Sequence, residues 1–250
     1  MKNLISLFII INFWIGCGSD NEVKPEFPEI KNPLDIQSKF DQALSSAKEI
    51  SELMVSNDQN LTVYLNTDGT FYNGWVRENY TDGLLGSLFH VQDGKNSGLY
   101  TGWFKNGNKK VERTWKNGLR DGPYIIWSSA GVIQSRGYYV NDLKNGQVEE
   151  FYSNGKIKSK SNYVGGKIDT FEGWQPNGST CSISSIKDGS GIIVYYDEIG
   201  LSEYNQSFVN GEIDYGNYAE NESLISEDVL DENFTSDGNL SENMIPQEDL

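Results

Sequence analysis

Acid–base and nucleophilic chemistry has few residues to draw on in this chain of 250 residues. The sequence holds one histidine, His90, and two cysteines, Cys17 and Cys181. A thiolate nucleophile needs an adjacent base, and His90 is the sole imidazole that could serve Cys181. No recognisable motif links them, so they read as a half-buried strand cysteine and a solvated turn histidine. HExxH, GxSxG, P-loop and dinucleotide fingerprints are absent from the sequence. The expectation is a protein that is not an enzyme and takes no cofactor.

Metal and charge chemistry gather near the C-terminus. Asp231, Asn233, Thr235, Asn239 and Glu242 fall at positions 1, 3, 5, 9 and 12 of a calcium-loop template. Ser236 stands where the loop needs glycine, Gly238 comes two places late, and no exiting helix follows, so no metal site is expected. All 20 Lys and Arg lie at or before Lys187, and the net charge of −16 belongs entirely to the stretch that follows it. Such a tail reads as solvating, and the chain offers no positive excess for nucleic acid. Lys156, Lys158 and Lys160 alternate along one predicted strand, which would aim three ammonium groups from one face, either into solvent or towards the acidic tail.

Aromatic rings are the remaining functional signal. Trp75, Trp103, Trp115, Trp127 and Trp174 lie in the middle of the chain with most of the 14 tyrosines. About two thirds of these rings are expected in the core, Trp127 and Tyr139 among them. An exposed row at regular pitch would stack on sugars or grip an extended peptide, and Trp75, Trp103 and Trp174 are the candidates for it.

The elements that must position these rings repeat. Thirteen of the 26 glycines follow Asn or Asp, and twelve of those pairs fall between Asp68 and Gly211. Asn-Gly and Asp-Gly tolerate positive φ and mark hairpin turns. Gly98, Gly122 and Gly146 are evenly spaced, and the same interval separates Gly107, Gly131 and Gly155, and Trp115, Tyr139 and Tyr163. A period of about 24 residues means stacked supersecondary units, with drifted terminal units as caps. The predicted class is mainly β: an elongated array of antiparallel β-hairpins over residues 59–217. Tyr100-Thr-Gly-Trp-Phe-Lys-Asn-Gly107 and Gly122…Trp127…Gly131…Tyr138-Tyr139…Asn145-Gly146 resemble MORN-variant repeats of proteins labelled YwqK-family antitoxins. The resemblance implies side-by-side hairpins, brings no catalytic residue, and suggests an antitoxin or immunity-type antagonist as the alternative function.

The flanks suggest an address. Residues 1–16 carry Lys2 and an apolar run from Leu4 to Ile15, which fits a signal peptide and is too short for a membrane span. Trp14-Ile15-Gly16-Cys17 resembles a bacterial lipobox, with Trp14 in place of the usual leucine. That resemblance implies lipidation, such as palmitate, at Cys17, and a place in the cell envelope, at the outer membrane or cell surface or facing the periplasm. Residues 17–34 read as an extended tether with Pro25, Pro28 and Pro33. Residues 35–58 read as an amphipathic helix with Ile36, Phe40, Leu44, Ala47, Ile50, Leu53 and Met54 on one face, set to cover the first hairpin. Residues 218–250 form the acidic tail. The expected function is a membrane-anchored binding or scaffolding surface whose ligand is a protein or envelope polymer.

Overall fold

Two kinds of turn alternate along the chain and set its architecture. In the computed structural model, which describes residues 32–58 and 61–215, six two-residue turns carry positive φ at both positions. They are Asp93-Gly94, Asn117-Gly118, Asn141-Asp142, Gly165-Gly166, Asp188-Gly189 and Asn210-Gly211. This is type I′ geometry, whose twist matches that of the flanking strands. At the other end of the strands sit three-residue loops. In one, Gly107 N–H donates to the Phe104 carbonyl and Phe104 N–H to that of Asn108, both at 2.9 Å. The same pair of bonds closes the loops at Tyr80, Ser128, Tyr152, Gln175 and Asp197.

Between these turns run the strands. After α1 (Gln37–Ser46) come β1 (Lys48–Glu49), β2 (Met54–Asp58), β3 (Leu61–Leu65), β4 (Gly74–Asn79), β5 (Leu85–Gln92) and β6 (Lys95–Trp103). Then follow β7 (Lys109–Lys116), β8 (Leu119–Trp127), β9 (Ile133–Val140), β10 (Leu143–Lys144), β11 (Gly146–Phe151) and β12 (Ile157–Val164). The last are β13 (Lys167–Trp174), β14 (Thr180–Lys187), β15 (Ser190–Tyr196), β16 (Ser202–Val209) and β17 (Glu212–Ile213). From β4 onward the strands pair antiparallel in sequence order in one long sheet, save that β11 pairs with β9 and the two-residue β10 pairs with β9 alone, and β1 is added parallel on the outer edge of β4. The predicted hairpin array is the observed fold.

The Asn-Gly and Asp-Gly pairs serve three purposes, where the sequence suggested one. Four of them make type I′ turns. Five sit in the three-residue loops, where the glycine alone has positive φ and the Asx side chain accepts from the N–H two places on, as Asn106 does from Asn108 (3.0 Å). Asn73-Gly74, Asp121-Gly122 and Asn145-Gly146 make no turn: their glycines enter strands, and their side chains cap the type I′ turn of the following repeat. Asn73 Oδ1 accepts from Asp93 N–H (2.7 Å) and Asn145 Oδ1 from Gly165 N–H (3.1 Å).

Neighbouring turns also bond directly. The second residue of a type I′ turn donates to a carbonyl of the preceding repeat: Gly94 to Tyr72, Gly118 to Asn96, Asp142 to Arg120 and Gly166 to Lys144, each at 2.9 Å. At the opposite rim Tyr80 Oη reaches the Trp103 carbonyl and Tyr152 Oη that of Trp174, both at 2.7 Å. Consecutive repeats are therefore tied at both ends as well as along their strands.

The N-terminal segment departs from the expected single helix over 35–58. α1 ends at Ser46 because Ala47 turns to extended geometry, and β1 then pairs with β4. The apolar stripe is thereby divided between the two faces of the sheet. Phe40, Ala43 and Ala47 pack on one face with Leu34, Trp75, Leu88, Leu99 and Trp103. Ile50 and Leu53 pack on the other with Tyr64, Tyr72, Val76, Phe89 and Val91. Ile36 and Met54, assigned to the stripe, stay exposed. Glu49 fixes the crossing by accepting from Arg77 Nε (2.9 Å) and Asn79 N–H (3.2 Å). Residues 1–31 and 216–250, with the expected signal peptide, Cys17, most of the tether, the calcium-loop match and the acidic tail, lie outside the described residues.

Candidate functional site

The two candidates for nucleophilic chemistry do not meet. His90 lies on β5 with its ring edge-on to Trp75, 5.3 Å between centroids, whereas Cys181 is buried on β14 with its Sγ 3.1 Å from Tyr196 Oη. Strands β6 to β13 separate them. Among the described residues no group of three His, Cys, Asp or Glu side chains could hold a metal. No helix of the described residues is long and apolar enough to cross a membrane.

Strand alternation sorts the repeating side chains onto two faces. One face carries Tyr100, Arg113, Trp115, Tyr124, Tyr139, Lys144 and Tyr163, interleaved with small residues. Cations lie over its rings: Arg120 is 4.4 Å from the Tyr139 centroid and Lys144 is 5.2 Å from that of Tyr163. Burial disfavours the Lys144 cation, but Tyr163, Tyr124 and Glu150 favour it, and its pKa stays above the ordinary lysine value. Burial likewise pushes the Tyr124 hydroxyl up to about 12. A hollow on this face, lined by Val111, Arg113, Tyr124, Ile126 and Tyr139, holds about 210 Å³ even with open solvent included. Sites for drug-sized molecules begin near about 300 Å³, so it is a packing hollow.

The other face carries Trp75, Trp103, Trp127 and Trp174. The last strand residue before each three-residue loop is aromatic in five successive hairpins: Trp103, Trp127, Phe151, Trp174 and Tyr196. Each pairs across its loop with the residue six places on: Lys109, Ile133, Ile157, Thr180 and Ser202 in turn. Strands lie about 4.8 Å apart, so rings on every second strand recur at roughly 10 Å. Trp103 and Trp174, singled out from sequence, belong to this column; Trp75 does not, lying on β4.

None of the three expected exposed rings is in fact exposed. Trp75 and Trp103 are half-buried beneath Leu34 and α1, with Phe40 edge-on to Trp103 at 5.9 Å. Sequence spacing could not show that the chain's own helix would lie over them. Trp174 is half-buried on the part of the face beyond that cluster, and so are Trp127, Phe151 and Tyr196. Trp127 and Tyr139, expected in the core, are likewise only half-buried.

A charged row crosses the same face, one residue per strand: Thr101, Glu112, Ile125, Arg136, Glu149, Lys160 and Glu172. Glu112 and Glu149 are both buried. Glu112 accepts from Asn32 Nδ2 and pairs with Lys109 at 2.5 Å, and Lys109 also holds Asp35 at 2.5 Å. Glu149 is gripped by Arg136 Nη2 at 2.6 Å, with Lys160 at 3.7 Å. The lysine stripe is thus not a free comb. Lys160 faces Glu149, Lys156 donates to the Asn177 carbonyl (2.9 Å), and Lys158 lies over the Tyr152 ring at 5.5 Å. Sequence reading passed over Glu112, Arg136 and Glu149. The signal was there, since opposite charges at 136 and 149 become cross-strand neighbours once both hairpins take the repeat register.

The described residues form a surface of half-buried rings and paired charges. Residues 144–164, from the end of β10 through β12, match the family model described as MORN repeat variant. This chain contains a MORN-variant repeat. Hairpins with both turn types and an aromatic last strand residue recur to either side of the matched residues. No curated protein matches this chain. Among solved structures, a GtfA/B complex bound to UDP and GlcNAc aligns at 8% identity over 54% of this chain and 24% of that chain, with TM-score 0.19. Alternansucrase in complex with isomaltononaose aligns at 16% identity over 65% of this chain and 16% of its own, with TM-score 0.14. The chain spans less than a quarter of either length, and such low scores bear on neither fold nor function.

Proposed function

We propose that the protein is a non-catalytic binding module whose working surface is the tryptophan face beyond α1. The observation that carries this reading is the aromatic column, which continues as Trp127, Phe151, Trp174 and Tyr196 past the last ring covered by α1. A half-exposed ring recurring every second strand presents the same contact to successive segments of an extended protein or polymer. The Leu4–Ile15 run and Gly16-Cys17 support an envelope location, with the array held at the membrane by a lipid on Cys17. Labelled palmitate then enters the wild-type protein and not Cys17→Ala. The resemblance to antitoxin-type repeat proteins supports a narrower version, in which the ligand is a protein to be neutralised.

The test is capture from envelope extract with wild-type protein and with Trp127→Ala and Trp174→Ala. Loss of the captured partner by both variants, with folded spectra retained, is the expected result. Capture that is indifferent to both rings overturns the proposal.

A further inference from the structure

The aromatic column has a fixed pitch, and pitch discriminates between classes of extended ligand. Trp127, Phe151, Trp174 and Tyr196 end β8, β11, β13 and β15, with one strand between each ring and the next. Strands about 4.8 Å apart place successive rings about 9.6 Å apart. An extended strand laid along the column repeats its same-face side chains every ~6.7 Å, about 3 Å out of step at the second ring. Two turns of α-helix rise about 10.8 Å, an excess that grows to about 3.6 Å at the fourth ring. Three residues of polyproline II rise about 9.3 Å, so a segment spanning all four rings falls short by only about 1 Å.

Backbone chemistry selects in the same direction. The face of a sheet offers side chains alone, so an ordinary peptide laid across it leaves its own amides without backbone partners. Proline has no N–H to lose, and polyproline II arrives already extended, which lowers the ordering cost of a shallow contact. Charge agrees. Arg136, Glu149, Lys160 and Glu172 run beside the column as cross-strand neighbours, two of each sign. Arg136 holds Glu149 at 2.6 Å, and Lys160 stands 3.7 Å from the same carboxylate. On the loop side Lys156 donates to the Asn177 carbonyl (2.9 Å), Lys158 lies over the Tyr152 ring, and Glu198 accepts from Ser153 N–H (3.1 Å). Lys156 and Lys158 are matched in charge by Asp197 and Glu198, which follow Tyr196. These groups sum to zero, which favours a neutral ligand.

We infer that the uncovered repeats bind a neutral, proline-rich segment of a partner protein in the polyproline-II conformation, with proline at every third position. This rests on the proposed binding role of the tryptophan face and adds the partner's chemistry. Each three-residue step sets one pyrrolidine ring against one aromatic ring. Affinity therefore grows with the number of rings spanned and is indifferent to salt.

The probes are fluorescein-labelled dodecapeptides titrated into the whole protein and read by anisotropy. One contains four Pro-Gln-Gln triplets; the other contains six Pro-Gln pairs, which hold more proline at a two-residue period. Saturable binding of the triplet peptide is expected, at least about five-fold tighter than the pair peptide and unchanged by added salt. These changes are in the ligand and cannot unfold the protein. On the protein side Trp127→Ala and Trp174→Ala, with folded spectra retained, each lower affinity for the triplet peptide several-fold. Equal binding of the two peptides, or no saturable binding, overturns the inference. So does a dodecapeptide of alternating Thr and Ser, or a chitin hexasaccharide, that binds as tightly as the triplet peptide; the column then serves an extended strand or a glycan. If extract capture still depends on Trp127 and Trp174 while the peptides fail to discriminate, the binding face stands and the polyproline-II assignment falls.

Discussion

At the scale of single residues, glycines at two kinds of position carry different costs when replaced. Gly146 has φ +78 and open space where a Cβ would stand, so Gly146→Ala costs only left-handed backbone strain, about 1 kcal/mol. Gly137 has ordinary φ, but its Cβ would stand 2.8 Å from Val148 Cγ2 and 3.0 Å from Tyr124 Cε1. Gly137→Ala therefore overpacks the tyrosine face and costs about 1–3 kcal/mol. Thermal melts should rank Gly137→Ala below Gly146→Ala by several degrees, and the reverse order would put backbone strain above packing. Tyr124 makes a second prediction. Its hydroxyl is raised from 10.0 to about 12 by burial, so the folded form holds its proton where the unfolded chain has lost it. Stability from this group is complete below pH 10 and is lost as pH rises towards 12, by about 2–3 kcal/mol. Alkaline unfolding of Tyr124→Phe should be correspondingly shallower across that window.

At the scale of elements, α1 and the residues before it act as a lid on the first repeats. The lid is held by apolar packing and by the Asn32, Asp35, Lys109 and Glu112 set, which joins two distant stretches of the described chain. A fully buried ring contributes about 3–5 kcal/mol on truncation, and Phe40 is half-buried, so Phe40→Ala should cost about 2 kcal/mol. It should also uncover Trp103 and shift tryptophan emission to the red. A variant that is destabilised without the red shift would mean that Trp103 is covered by other groups. Turns form the second class of element. Because Asx side chains and turn N–H groups reach into the adjacent repeat, each turn depends on its neighbour and no hairpin is an independent unit.

At the scale of the whole sheet, the two ends are finished differently. The β4 edge has β1 along it, α1 on one face and Ile50 and Leu53 on the other. At the far end, β16 is paired on its outer side only with the two residues of β17, and Ile183, Ile192, Leu201, Tyr204 and Val209 are exposed nearby. In a nearest-neighbour array the less covered end opens first. Hydrogen exchange should therefore show amides of β15 and β16 losing protection before those of β4 to β6, and uniform exchange would indicate one cooperative unit.

The sequence by itself determined the repeat, because turn chemistry is local: positive φ needs glycine, Asn or Asp, and the even spacing of those residues exposes the period. It determined the equivalence of Trp115, Tyr139 and Tyr163 for the same reason. It also named His90 and Cys181 as the candidates for imidazole and thiol chemistry. Only the tertiary structure decided which rings are covered. Trp75 and Trp103 share the residue type of Trp127 and Trp174, and a helix from far along the chain lies over the first pair alone. Nor could periodicity divide the stripe from Phe40 to Leu53 between two faces, since a helix and a chain rounding a sheet edge need the same apolar residues. The pairing of Arg136 with Glu149 arises from register, which two separate turns set between them. Local chemistry is written along the chain, while burial and cross-strand charge depend on what folds back against it.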